Sequence, residues 1–324
     1  MNKKLLAVAV SSAVMAPVAA QAADVTVYGR INNAIEIRDT DGFRNDGGDS
    51  TVDVSSISSR FGIKASSDLG NGLTASARYE FATVTDKELP NPADLRIGTV
   101  GISGGFGSIT VGNQWSAFYD TVGTDIDPTY SVGYVLYSSI VNGPYRGSNT
   151  IKYANSFGPV YLELDVRLNE SEEGPDVAEK INGDGVGIGA RWSVTDNLTL
   201  AAAFDSEENP GGAADTDRTG VSAKWASGGW FAIIGWHEAD NGGNNVASQT
   251  QFWGGVDVGD ATRLMFGYGV ADNDANDSEP EAFTLAAYHN MGGGLRFYYE
   301  GAFHDFDDTR ADFDRHLLGM RIDF

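Results

Sequence analysis

Residues 25–38 read VTVYGRINNAIEIR, and this stretch decides the fold class because apolar and polar side chains alternate along it. The apolar face consists of Val25, Val27, Gly29, Ile31, Ile35 and Ile37. The polar face consists of Thr26, Tyr28, Arg30, Asn32, Glu36 and Arg38. A period of two is typical of a β-strand with one apolar and one polar side. The stretch therefore predicts a strand whose two faces meet different environments.

The same alternation recurs to the end of the chain, and it predicts sixteen strands. We expect these strands at 24–38, 52–66, 72–84, 95–103, 107–113, 147–155, 159–168, 184–193, 198–206, 217–226, 229–238, 248–257, 261–271, 281–289, 294–304 and 314–324. With so many strands and no helical periodicity, the fold class is all-β.

The connections between these strands alternate in length. Every second one is short and rich in the Gly, Asn and Asp residues that hairpin turns need, as in 67–71, 104–106, 194–197 and 227–228. The others are longer and polar, as in 39–50, 169–182 and 305–313. Short turns at one end and long loops at the other are typical of an outer-membrane barrel. The sequence therefore predicts a 16-stranded antiparallel transmembrane β-barrel, with the apolar face toward lipid and the polar face lining a lumen.

Composition excludes several other classes of protein. The chain of 324 residues has 22 Lys and Arg against 45 Asp and Glu, a net charge of -23, and no Cys. Negative charge disfavours nucleic acid as a partner. The four histidines are not spaced as a pair of metal ligands, so we expect no bound metal and no cofactor. His304-Asp305 is the only pairing that suggests a catalytic site, so we expect that the protein is not an enzyme. The acidic stretch 305–314 is expected to be a solvated face, or alternatively a site where divalent cations bridge lipopolysaccharide.

The first 22 residues have the pattern of a secretory signal peptide. Lys3 and Lys4 precede an apolar core, and Ala20-Gln21-Ala22 fits a small-x-small cleavage site. We expect residues 1–22 to be removed during export and residues 23–324 to form the barrel.

Several segments resemble the general bacterial porins of Gram-negative outer membranes, over essentially all of residues 24–324. The carriers are the opening strand at 27–30 (VYGR), the segment 59–73 (SRFGIKASSDLGNGL), the strand 106–113 (FGSITVGN), the stretch 145–153 (YRGSNTIKY) and the terminal Phe324. The resemblance implies a homotrimer of barrels in the cell outer membrane, each with an inward-folded third loop, and it implies that Phe324 belongs to the membrane-insertion signal.

The resemblance also implies a constriction with a basic wall facing an acidic loop. Arg30, Arg60, Arg96 and Arg146 match the basic positions of the family, and Arg78 joins them because of its parity in the third strand. The third loop, about 114–144, offers Asp120, Asp125 and Asp127 but lacks the Pro-Glu-Phe-Gly-Gly stretch of enteric members.

The function expected from this resemblance is passive diffusion of small hydrophilic solutes and ions through a water-filled channel. Facing rows of opposite charge would order water and hinder apolar solutes. Acidic loops favour cations and the arginine wall favours anions; weighing the two, we expect a preference for cations. The alternatives are a channel specific for a sugar or an anion, and a plugged barrel that acts as an adhesin or enzyme.

Overall fold

The computed structural model describes residues 23–40, 50–86, 93–132, 145–168, 185–208, 215–242, 246–274, 277–305 and 313–324. The predicted signal peptide lies outside the described residues. Among the described residues, no helix has the length and apolar character needed to cross a bilayer.

Seventeen β-segments build a single antiparallel sheet. They are β1 (Asp24–Thr40), β2 (Thr51–Ser56), β3 (Arg60–Gly70), β4 (Leu73–Thr83), β5 (Ala93–Gly104), β6 (Gly107–Trp115), β7 (Arg146–Phe157), β8 (Val160–Arg167), β9 (Gly185–Thr195), β10 (Leu198–Glu207), β11 (Thr216–Ser227), β12 (Trp230–Asp240), β13 (Val246–Val258), β14 (Thr262–Asn273), β15 (Glu281–Gly292), β16 (Leu295–Asp305) and β17 (Phe313–Asp323).

The sheet closes on itself, so the predicted 16-stranded barrel is confirmed. The last segment, β17, pairs with β1 in a register that sets Arg30 opposite Asp323. On its other side β1 pairs with β2 along its second half and with β3 along its first half, so β2 and β3 together form one barrel strand. In the described part of the chain, closure pairs the first strand with the last, which limits exposed strand edges as a hydrocarbon environment requires.

The one strand predicted at 52–66 is interrupted. Ser58 adopts a left-handed φ of 54°, and the backbone N–H of Ile57 donates to Asn32 O at 2.8 Å. As a result Ile57 is buried in an interior cluster with Leu317 and Tyr298, although alternation predicts it on the outer face. The break arises because a local turn overrides the period of two.

The two faces of the barrel wall differ as the alternation predicts. Outward apolar side chains are widely exposed, for example Val25 at 63%, Leu318 at 63% and Trp230 at 61%. Inward positions carry buried polar groups such as Glu80 and Glu300. An exposed apolar belt around a polar interior is the arrangement of a lipid-facing barrel.

Candidate functional site

A segment that we call the lumen loop, residues 116–132, leaves β6 and packs inside the barrel. It contains a π-helical turn, Tyr119–Gly123, followed by a short α-helical turn, Thr124–Ile126. Phe118, Val122 and Ile126 are fully buried, and they cluster with Ala201 and Ala203 of β10. The described part of this connection therefore packs against β10.

Glycines on the inner wall provide the space for this loop. A Cβ atom on Gly220 of β11 would lie 2.6 Å from the Phe118 ring, and one on Gly235 of β12 would lie 2.2 Å from Ile126. A third inner glycine, Gly189 of β9, would collide with Thr121 in the same way. Since carbon atoms cannot approach so closely, these positions form a trough that only glycine permits.

Polar contacts fix both ends of the lumen loop. At its start the Ala117 N–H donates to Asp165 Oδ2 at 2.6 Å. At its end the Glu300 carboxylate accepts the backbone N–H groups of Tyr130, Ser131 and Val132 at 2.6, 3.1 and 3.3 Å. The Tyr288 hydroxyl is a fourth donor to Glu300, at 2.6 Å. Sequence reasoning did not single out Glu300, although it placed this residue on the polar face of its strand.

Four of the five predicted wall arginines lie in ion pairs along the inner face. Glu80 accepts from Arg78 at 2.7 Å and from Arg96 at 3.0 Å, and it lies 3.5 Å from Arg60. Arg96 reaches this carboxylate because of a β-bulge. Glu80 pairs with Ile97 and Phe81 pairs with Leu95, so Arg96 is the extra residue of β5 between them. Arg30 pairs with Asp323 at 3.0 Å across the seam that closes the barrel.

The fifth predicted arginine, Arg146, is held by an aromatic ring. Its guanidinium carbon lies 5.0 Å from the centre of the Trp115 ring, and that of Arg96 lies 5.8 Å from the same ring. Within the described ranges Arg146 has no carboxylate at ion-pair distance.

Two further arginines extend the basic wall beyond the predicted set. Arg321 pairs with Asp323 at 2.8 Å and lies over the Tyr130 ring at 4.5 Å. Arg296 donates to the Tyr130 hydroxyl at 3.2 Å. Alternation alone placed both on the polar face, but neither matched a family motif. We call the full set the arginine bank; its members are Arg30, Arg60, Arg78, Arg96, Arg146, Arg296 and Arg321.

The three predicted loop carboxylates have partners outside this bank. Asp120 accepts from Lys152 of β7 at 2.5 Å. Asp125 accepts from Arg191 of β9 at 2.5 Å and from the Ser222 hydroxyl of β11 at 2.7 Å. Asp127 accepts the Tyr119 hydroxyl at 2.9 Å. Asp120 and Asp125 thus attach the loop to the wall formed by β7–β11, a role that the predicted acidic row facing the arginines did not include.

Burial alters the protonation of the third carboxylate. It raises the pKa of Asp127 to about 7, against the opposing effect of the hydrogen bond from Tyr119. Burial and the neighbouring Asp127 in turn raise the pKa of Tyr119, which therefore stays protonated and remains a donor. The charge of Asp127 therefore changes near neutral pH.

Comparisons with known proteins agree with this architecture. Residues 6–309 match the family model described as Gram-negative porin. Outer membrane protein F of Serratia marcescens is 27% identical over 216 residues, and the match spans 64% of this chain but only 57% of that protein. Outer membrane protein S2 of Salmonella typhi is 24% identical over 91% of this chain and 80% of its own length.

Solved structures share the fold at low sequence identity. The anion-selective porin from Comamonas acidovorans has a TM-score of 0.81 at 19% identity, and the match covers 94% of this chain and 100% of that one. The Salmonella typhi OmpF complex with daunomycin has a TM-score of 0.75 at 15% identity, with 93% and 97% covered. The trimer form of OmpT from Vibrio cholerae has a TM-score of 0.70 at 17% identity, with 94% and 100% covered.

Proposed function

Because this chain belongs to the Gram-negative porin family, we propose that it is an outer-membrane channel for passive diffusion of small hydrophilic solutes and ions, and that it has no enzymatic activity. The observation that carries the proposal is the lumen loop, which packs inside a closed barrel and narrows a polar interior next to a bank of arginines. A narrow, charged, water-lined passage sorts solutes by size, polarity and charge.

We further propose that the channel prefers anions, which reverses the preference for cations expected from sequence. In the described ranges, two carboxylates, Glu80 and Asp323, pair with the arginine bank. Two of the three loop carboxylates pair with Lys152 and Arg191 instead. Arginine does not lose its proton, so the narrow region keeps a surplus of positive charge. The Comamonas acidovorans porin of the same fold is called anion-selective, which supports this assignment.

We also propose that the protein is assembled and exported in the way that the family resemblance implies. We propose a homotrimer, export directed by residues 1–22, and contact of the outer loops with lipopolysaccharide through divalent cations. Phe324 is proposed to serve in membrane insertion. Its backbone closes the barrel seam by hydrogen bonds with Gly29, at 2.8 Å from Gly29 N to Phe324 O and 3.1 Å from Phe324 N to Gly29 O. Its side chain is 60% exposed on the outer surface.

Conductance of the refolded protein in a planar bilayer with a KCl gradient tests the proposal. We expect large ohmic current steps that close in three equal sublevels. We also expect the sign of the reversal potential to indicate a preference for anions over cations. Inserted, folded protein that passes no current would contradict the channel function. Current that saturates with one solute would favour the solute-specific alternative.

A matched pair of variants tests the role of the arginine bank. Arg96→Gln is expected to move the reversal potential toward zero, since it removes one of three positive charges that share the single carboxylate of Glu80. Arg263→Gln is the control, because Arg263 also faces the lumen but is paired with Asp257 through two hydrogen bonds of 2.7 and 2.9 Å. Equal shifts in the two variants would show that total lumen charge, and not the bank, sets selectivity.

A further inference from the structure

Trp115 and Arg146 face each other where the lumen loop departs from the barrel wall. They are the last residue of β6 and the first of β7, and they are direct partners in the antiparallel register. Cross-strand partners have neighbouring side chains, so the indole and the guanidinium are brought together by the sheet itself. Arg96 approaches the same ring from β5.

Trp115 is held in place by its own surroundings. Its ring stacks on Tyr119 of the lumen loop with centres 4.6 Å apart and an angle of 20° between planes. The register of β6 and β7 shifts between Gly112 and Gln114 just before it. Gly112 has a φ of 132°, and a Cβ there would lie 1.9 Å from Gly98 O, so this irregularity requires glycine. The backbone and the loop together fix the indole orientation.

The support that Trp115 gives differs in kind from an ion pair. A carboxylate holds an arginine and cancels its charge, as Glu80 does for Arg78. An aromatic face attracts a guanidinium through its quadrupole and leaves the net charge and the edge N–H donors available. Arg146, which has no carboxylate at ion-pair distance among the described residues, is thus ordered without being neutralised.

We infer that Trp115 is a specificity-determining residue of the channel. It positions Arg146 and Arg96 as charged, ordered donors for passing small anions such as chloride, phosphate and carboxylates. This inference rests on the proposed anion channel and names the residue that maintains its positive surplus. Without the indole, the Arg146 side chain loses its fixed position, so its charge spreads over a larger volume and acts less on ions in the narrow region.

The test compares Trp115→Leu, Trp115→Phe, Arg146→Gln and the double variant Trp115→Leu/Arg146→Gln in a planar bilayer with a KCl gradient. We expect the ratio of anion to cation permeability to fall about twofold or more in Trp115→Leu. Arg146→Gln should give a similar fall, and the double variant should add little to it because both changes remove one effect. Trp115→Phe, which keeps an aromatic face, should retain most of the preference.

Two controls separate this inference from the channel function itself. Trp253→Leu removes another inward indole, whose N–H donates to Gln251 at 2.9 Å and whose ring makes no cation–π contact with a described arginine. It should leave the permeability ratio unchanged. If Trp115→Leu does not fold, Trp115→Gln replaces it with a polar planar group. An unchanged ratio in a conducting Trp115 variant, or additive losses in the double variant, would overturn the inference while the channel function stands. Absence of current in the unmodified protein would instead overturn the channel function.

Discussion

Replacing Glu300 by glutamine should loosen the lumen loop without changing the barrel. The buried carboxylate accepts four hydrogen bonds, three of them from the loop backbone at residues 130–132. Glutamine keeps one accepting oxygen and directs an amide N–H₂ at groups that are themselves donors, so about two of the four bonds are lost. Each unsatisfied buried donor costs about 1–3 kcal/mol, so the docked loop loses roughly 2–6 kcal/mol.

The consequence is measurable as a change in the open channel. Every 1.4 kcal/mol is about a tenfold change in population, so the undocked state of residues 130–132 should become at least tens of times more frequent. We expect greater current noise in single channels and faster uptake of larger sugars by liposomes that contain the Glu300→Gln variant. The matched control is Glu163→Gln, an inward carboxylate that bonds Lys152 and Tyr161 and no loop backbone. If the two variants show the same noise and the same size limit as the unmodified protein, Glu300 is not the anchor of the loop.

Three further changes test the charge and the packing of the constriction. Glu80→Gln removes the carboxylate shared by three arginines and should raise the preference for anions, the opposite sign to loss of an arginine; an unchanged reversal potential would contradict the surplus-charge explanation. Since burial raises the pKa of Asp127 to about 7, its native form binds more protons than the unfolded form between about pH 4 and 7. Thermal stability should therefore fall as the pH rises through this window, whereas anion preference should fall as the native Asp127 ionises near pH 7; Asp127→Asn should flatten both profiles. Gly235→Val places a side chain where Ile126 lies and should displace the loop, which raises conductance and makes the loop sensitive to protease.

The barrel could be predicted from sequence because its wall follows simple periodic rules. Alternation in segments such as 25–38 reports which side chains face lipid, and the sorting of short and long connections reports the two ends of the barrel. The prediction was wrong for Ile57, where a left-handed residue beside it breaks the period and turns it inward. A bulge likewise sets Arg96 beside Glu80; the family resemblance, and not the alternation, predicted Arg96 for the basic wall. Neither irregularity has a signature in the alternation itself.

The constriction was less predictable because it depends on partners from distant strands. Parity placed Arg30, Arg60 and Arg78 on the inner face, and the structure finds them there in ion pairs. The partners of Asp120 and Asp125 come from β7, β9 and β11, which no local pattern connects to the loop. The glycine trough was not predicted either. The sequence alone does not distinguish a strand glycine at a turn or a bulge from one that makes room for another segment to pack.

In the proposed channel, the way the loop is attached sets the sign of charge in the narrow region. A loop that crosses a barrel must satisfy its polar groups against the wall, and here Asp120 and Asp125 do so on the side formed by β7–β11. Because these two carboxylates pair with wall residues, they do not offset the positive charge of the arginine bank on the opposite side. In this proposal the same two residues hold the loop inside the lumen and leave the arginine bank with a positive surplus. Lys152→Gln would remove the cation that Asp120 and Glu163 share. The loop would then lose an anchor and the lumen would gain uncompensated negative charge, so the preference for anions should fall while conductance rises. A fall in conductance would show that Lys152 holds the channel open rather than narrow.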